Sequence, residues 1–346
     1  MTDSRDRKRY YAIIIGVAFS AIFLTLALRR IDLHGLEQAV LTSHWWPWYV
    51  LAPIIYMTGQ LVRGVRCRRI LRPHAEISTW DASNVVICGY AANNVLPARM
   101  GELVRAYMLT RITHVSLSLS LAITFLERFL DGLAITGILV VTGFFMPLPE
   151  WGRNILWIAC AVFLGALLAI VLVMAAKPLV LRMVRTVTAL LPAGMAQRIV
   201  SIVDRAIGAT DCLRDPPLAV EIIALSIGVW LVEGSMFLVI LPAFGLPAKP
   251  LWAALALSVT NLGILFPSSP GYIGPFHYFC MQALLMVGVP SETALGYAIV
   301  THLLSYLPVT VWGLTALAAY GVNLTTAATS AASPDAMPVA TTAPAE

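Results

Sequence analysis

Charge is what this chain of 346 residues has least of: Asp, Glu, Lys and Arg together make up 12% of it, where a soluble domain carries about a quarter. That scarcity excludes an ordinary globular surface. Lys and Arg are absent altogether beyond Lys249. Cysteine is sparse and unpaired in pattern: Cys67, Cys88, Cys160, Cys212 and Cys280 are odd in number and contain no Cys-x-x-Cys, which argues against a disulfide framework or a zinc site. No Gly-x-x-x-x-Gly-Lys-[Ser/Thr] loop and no Gly-x-Gly-x-x-Gly turn occurs, so neither an ATP nor a dinucleotide site is visible. His-Glu-x-x-His and the Gly-x-Ser-x-Gly elbow are missing too. No cofactor and no metal are expected, and any transport must run on gradients, exchange or downhill flow.

What is present is hydrocarbon. Hydrophobic residues make up 59% of the chain, in recurrent runs near the roughly 20 residues a helix needs to cross a bilayer. In lipid the backbone must satisfy itself, and runs of this length do so as helices. The fold class is therefore all-α and polytopic. Spans are expected at about 10–28, 47–65, 117–146, 155–176, 218–241 and 293–320. The first is read as a retained span rather than a signal peptide, because it is long and lacks a clean cleavage site. Trp45, Trp46, Trp48 and Tyr49 mark an interface, and Arg63, Arg66, Arg68, Arg69 and Arg72 mark the cytoplasmic side. The N-terminus is thus expected in the cytoplasm and 29–46 outside. The net charge of +5 is explained by such flanks and implies no nucleic acid. Residues 177–215 are mixed and basic, which predicts an amphipathic helix on the cytoplasmic surface.

Two further apolar stretches are too short or too polar to cross. Residues 80–98 carry Asp81, Asn84, Asn93 and Asn94 between basic clusters, and 251–266 and 276–289 flank a proline–glycine break. Both read as re-entrant hairpins, giving six spans plus two hairpins, with eight crossings as the alternative. Leu96-Pro97-x-x-x-Gly101 is echoed by Phe266-Pro267-x-x-x-Gly271, and each break follows two spans of its half. That is the plan of an inverted repeat, with halves at about 1–146 and 155–320 in one transmembrane domain, 1–324. The Ala, Thr, Ser and Pro tail, 325–346, is expected to be disordered.

Three constellations carry the chemistry. In the first break, Pro97 removes a donor and turns Leu96 away from helix. Around it Asn93, Asn94, Arg99, Glu102 and Arg105 supply amides, two cations and a carboxylate, a set suited to phosphate. The alternative is a cytoplasmic loop whose arginines only obey the positive-inside bias. Glu127, Arg128 and Asp131 lie within one span at helical spacing. Each costs roughly 2.5–3.5 kcal/mol at the bilayer centre, so they face the interior, as an ion-pair knot or as a substrate or proton path. In the second break Ser268, Ser269, Gly271, Tyr272 and Gly274, with His277 beyond, offer hydroxyls and a helix N-terminus to an anion. The alternative is a plain turn. Glu233 and His302 are further ionisable groups inside spans and candidates for gating or coupling.

The run from Gly89 to Arg105, the Glu127-Arg128-x-x-Asp131 element and the run from Pro267 to Gly274 resemble the lysylphosphatidylglycerol synthase transmembrane-region family, over about residues 10–320. The resemblance implies a multi-pass protein of the cytoplasmic (inner) membrane, related to flippases. In the synthases this region flips an aminoacylated lipid that a separate soluble domain charges, and that domain is not expected here. Other stand-alone members are associated with hopanoid, glycolipid or polyprenyl-lipid pathways. This chain departs from the family in having His277 where a Glu is common and His302 where an Arg is common. The expected activity is movement of an anionic or phosphate-bearing membrane lipid, with lipid-biosynthesis proteins as possible partners. A headgroup transferase using Glu127 and Asp131, or a scaffold for such a complex, is the alternative.

Overall fold

The computed structural model describes the backbone of residues 2–29, 31–97, 99–265, 269–324 and 327–328, with side chains from residue 14 onward. Phe266, Pro267 and Ser268 of the second break lie outside the described residues, as does the 325–346 tail apart from Ala327 and Ala328, which are buried. All regular structure among the described residues is helical. The helices are α1 (Thr2–Leu28), α2 (Leu33–Leu41), α3 (Trp48–Leu71), α4 (Thr79–Val95), α5 (Gly101–Thr113), α6 (Leu117–Phe145) and α7 (Glu150–Ala175) in the first part. Then come α8 (Lys177–Thr188), α9 (Ala193–Gly208), α10 (Pro216–Ile240), α11 (Pro250–Gly263), α12 (Pro275–Leu285) and α13 (Ser291–Ala319).

Among the described residues four helices are long and apolar enough to cross a membrane: α6, α7, α13 and α10 with its 3₁₀ extension to Phe244. The α1–α2 pair passes the same test only when its two helices are taken together across an 87° bend. The span expected at 47–65 coincides with α3, which has 24 residues but carries Arg63, Arg66, Arg68 and Arg69 in its second half. The expected single amphipathic helix at 177–215 is instead two, α8 and α9, packed on each other. Pro192 at the α9 N-cap turns the chain between them. α9 rests on α6, where Arg205 Nε donates to Ser118 Oγ at 3.1 Å.

The two proline–glycine regions are helical hairpins. α4 and α5, of 17 and 13 residues, are about 25 and 20 Å long. α11 and α12, of 14 and 11 residues, are about 21 and 16 Å. None reaches the roughly 30 Å of the hydrocarbon core, and in each pair the arms pack on one another.

The halves are related as an inverted repeat. α3 runs antiparallel to α10: Gly59 and Arg63 face Glu233, Arg66 faces Ser226 and Arg69 faces Glu221. Around this central crossing the contacts repeat, with α4 on α13 as α11 is on α6, α5 on α6 as α12 is on α13, and α3 on α4 as α10 is on α11. Exchanging the halves reverses the central helix, so the relating axis runs across the helices, as inverted transporter repeats require. The pattern lapses at the first helix of each half, since α1 packs on α12 whereas α7 packs chiefly on α6. Apolar packing follows the same division. One buried cluster joins α10 to α13 with parts of α6 and α7, and a second joins α3, α4 and α5 with the first half of α6. The polar centre lies between them.

Candidate functional site

The centre is an ion-pair network on α3, α5, α6 and α10. Arg63 Nη1 donates to both oxygens of Asp131 at 2.9 Å, while its Nη2 pairs with Glu233 at 2.8 Å. Arg66 Nη1 reaches Asp131 at 2.7 Å and its Nε lies 3.7 Å from Glu127. Arg105 pairs with the other oxygen of Glu127. Asp131 also accepts from the Trp230 indole at 3.1 Å, and Gln60 donates to Glu233 at 3.3 Å. Arg63, Arg66 and Glu127 are at most 1% exposed, so none of these charges is hydrated. Mutual pairing is what offsets their burial.

Arg128 differs from its neighbours. Its guanidinium lies 5.0 Å from the centre of the Tyr90 ring and 3.5 Å from Asp131, with the side chain 32% exposed. Its Nε has no partner. Counting Arg63, Arg66, Arg105 and Arg128 against Glu127, Asp131 and Glu233, four cations face three anions. Glu102, which lines the space beside Arg128, brings the anions around this centre to four.

The breaks close over this network. At the first, Asn93 Oδ1 accepts from the Gly101 amide at 2.7 Å and its Nδ2 donates to Glu102 at 3.3 Å, which stitches the end of α4 to the start of α5. Gly101 is required there: a β-carbon would overlap the Gly89 carbonyl oxygen and the Asn93 side chain. Asn94 donates to Thr310 at 2.7 Å, and the Tyr306 hydroxyl donates to the Asn94 carbonyl at 3.3 Å, joining the break to α13. Arg99, in the left-handed region at φ 54°, crosses to the second break, donating to the Ile264 carbonyl and lying 5.5 Å from the Tyr272 ring centre.

At the second break, Gly271, Tyr272 and Gly274 all have positive φ. Ser269 is held by Ser20 of α1, which accepts from its amide and donates to its hydroxyl, both at 2.8 Å. His277 accepts from the Gly274 amide at 3.3 Å and meets His302 of α13 at 3.3 Å.

Between the two breaks lies a cavity of about 490 Å³. Of the residues singled out in the sequence, Asn94, Arg99, Glu102, Arg128, Asp131, Glu233, Tyr272 and His302 line it. Asn93, Arg105, Glu127, Ser269, Gly271, Gly274 and His277 stand behind that lining and hold it. Ser268 lies outside the described residues. The apolar lining includes Phe125 of α6 and Leu265 just after α11, which are 66% and 53% exposed. The cavity therefore has an apolar mouth.

Sequence reasoning missed Arg63, Arg66, Tyr56, Tyr90, Gln60 and Trp230. The two arginines were absorbed into a cytoplasmic cluster. A signal was available: three acids inside spans, Glu127, Asp131 and Glu233, need cations, and Arg63 and Arg66 sit beside Gly64 and Cys67 on α3 rather than at its charged end. Gly64 marks close packing, since a β-carbon there would meet the Ser83 backbone at 2.6 Å.

Residues 13–313 match the family model of the lysylphosphatidylglycerol synthase transmembrane region. The chain belongs to this family. Among its relatives is a protein named glycosyltransferase AglD, from Haloferax volcanii, 23% identical over 80% of this chain and 49% of that protein. The chain thus spans about half the length of that relative. A second is a UPF0104 membrane protein of Methanocaldococcus jannaschii, 23% identical over 64% of this chain and 90% of that protein. Membership in the lysylphosphatidylglycerol synthase transmembrane-region family agrees with the all-helical, multi-pass architecture.

Proposed function

We propose that this protein moves an anionic or phosphate-bearing lipid (phospholipid, glycolipid, hopanoid or polyprenyl lipid) across the cytoplasmic membrane. The observation that carries the reading is the cavity: lined by Arg99 and Arg128 beside a charge-paired floor, apolar at its mouth, and bounded by two helix breaks that belong to opposite halves. A soluble anion would need a wet entrance, whereas a lipid can leave its chains at Phe125 and Leu265 and bring its headgroup to Arg128. Arg99 and Arg128 are the phosphate ligands in this scheme, because each lines the cavity with an unpartnered Nε. Asn94 and Glu102 face the rest of the headgroup. Arg63, Arg66, Asp131 and Glu233 form the rigid floor, and Arg105 with Glu127 anchors the first hairpin.

A headgroup transferase would need Glu127 or Asp131 as a base, and both carboxylates are engaged with arginines. The transport reading is therefore preferred, with no catalytic residue and no cofactor assigned. Membrane localisation with a cytoplasmic N-terminus, and association with lipid-synthesising proteins, belong to the same proposal. Proteoliposomes carrying a fluorescent phosphatidylglycerol test it. Purified protein is expected to equilibrate the label between leaflets faster than protein-free vesicles, and equal rates in the two would refute the assignment.

A further inference from the structure

The first hairpin is closed on its half by an ion pair and the second by two histidines. Arg105, four residues after Gly101, pairs with Glu127 on α6. His277, three residues after Gly274, meets His302 on α13. The α5–α6 and α12–α13 contacts are equivalents in the repeat. Glu127 and His302 also stand at near-equal heights, the eleventh and twelfth positions of helices that are both 29 residues long. Equivalent helix pairs thus hold different chemistry, a fixed charge pair in one half and a titratable pair in the other.

The histidine bonds specify the protons. Because Nδ1 of His277 accepts from the Gly274 amide, its proton sits on Nε2 and donates to Nδ1 of His302. The remaining His302 proton is then on Nε2, because its Nδ1 accepts. One proton per ring satisfies the whole chain, so both rings are neutral. A further proton has only the two Nδ1 atoms to go to, and each already accepts. On His302 it would set two N–H groups face to face, and on His277 it would oppose the Gly274 amide. The addition on His302 severs the contact of α12 with α13, and the addition on His277 severs the bond that caps α12.

We infer that the His277–His302 pair is a proton-binding site whose occupancy releases the second hairpin from α13, coupling lipid passage to proton uptake. This rests on the transport reading above. Titratable or charged groups on the surrounding elements are Tyr306 on α13, Tyr272 in the break, Tyr56 and Arg63 on α3, Glu233 on α10, and Arg99 and Glu102 of the first break. α11 carries no charged residue, nor do the described side chains of α1. Tyr306 is nearest, with its ring centre 5.6 Å from that of His302. The pair is thus the titratable group that joins this hairpin to α13. His302 also lines the cavity. An anionic headgroup there favours the protonated ring, and the proton in turn favours the headgroup, as linkage requires.

Wild type, His277→Glu with His302→Arg, and His277→Gln with His302→Gln are compared in proteoliposomes of fluorescent phosphatidylglycerol, from about pH 8 to about pH 5. The first variant replaces the titratable pair with a fixed one. A carboxylate at this third helical position accepts the Gly274 amide as a capping box does. The glutamine pair keeps polar contacts without titration and decides the question if the charged pair does not fold. Hydrogen–deuterium exchange over residues 269–278 is read in the same samples, relative to the glutamine variant at each pH.

Wild-type movement is expected to rise with acidification, by at most about tenfold per pH unit for one linked proton, with exchange in the loop rising in parallel. Both double variants are expected to give flat profiles. A pH-independent wild type, or a wild-type profile that persists in either double variant, overturns the proposal. If no sample moves lipid while wild-type loop exchange still rises with acid, the transport reading fails and the proton site stands.

Discussion

The two hairpins have the same architecture and opposite electrostatics. α4 and α5 are joined to each other by Asn93, and α5 is joined to α6 by Arg105 and Glu127, so the first hairpin is fixed by a buried charge pair. α12, packed on α11, meets α13 through neutral imidazoles beside a loop rich in positive φ. Breaking a buried ion pair strands a charge, whereas breaking a neutral hydrogen bond costs far less. The comparison therefore teaches which half is the frame and which the moving part: the first hairpin is built into the charged floor, and the second leans on it through Arg99 and Tyr272.

The largest expected effect tests that asymmetry directly. Glu127→Gln leaves Arg105 without its carboxylate and removes the anion beside Arg66, so it should cost about 3–5 kcal/mol, read by thermal unfolding in detergent. A loss no bigger than that of His302→Gln would abolish the distinction between the halves. Next is Gly101→Ala, expected to cost about 1–3 kcal/mol by overpacking, because the added carbon meets the Gly89 backbone. At Gly271 an added carbon would lie 2.7 Å from the Tyr306 ring, and a side chain yields more readily than backbone. Gly271→Ala should therefore disturb packing less than Gly101→Ala, its cost coming mainly from the φ of 71°.

How much of this was legible beforehand depends on the kind of signal. The breaks announced themselves, because Pro97, Gly101, Gly271 and Gly274 have few other uses in apolar sequence. Four of the six expected spans followed from length and hydropathy, and the inverted repeat from the matched Leu96-Pro97 and Phe266-Pro267 steps. The ion-pair floor did not follow. Arg63 and Arg66 sit in a run with Arg68, Arg69 and Arg72, and local sequence cannot separate arginines that turn inward from those that mark a cytoplasmic face. The helical phase that buries two and exposes the rest is set by α10, 160 and 170 residues away along the chain. Asn93 and Arg105 were placed with the ligands for the same reason. Their residue types suit phosphate, but their partners, Gly101 and Glu127, occupy them.

Smaller effects sharpen the comparison from the other side. His302→Gln is expected to cost about 1 kcal/mol in the same thermal assay, and a loss approaching that of Glu127→Gln would make the second hairpin as fixed as the first. Glu221→Gln removes the partner of Arg69, an ion pair of 2.7 Å whose side chains are 36% and 38% exposed, and should cost no more than about 1 kcal/mol. A larger loss there would mean that the α3–α10 crossing depends on its outer end as well as on its buried centre.

The central claim is that an anionic headgroup crosses through the cavity at Arg128, and the most direct measurement is the rate of fluorescent phosphatidylglycerol movement in proteoliposomes of wild type and Arg128→Gln. Removing one charge-assisted phosphate contact is expected to slow wild-type movement by about tenfold or more, with thermal stability nearly retained because Asp131 keeps Arg63 and Arg66. Equal rates in wild type and a well-folded Arg128→Gln would contradict the account.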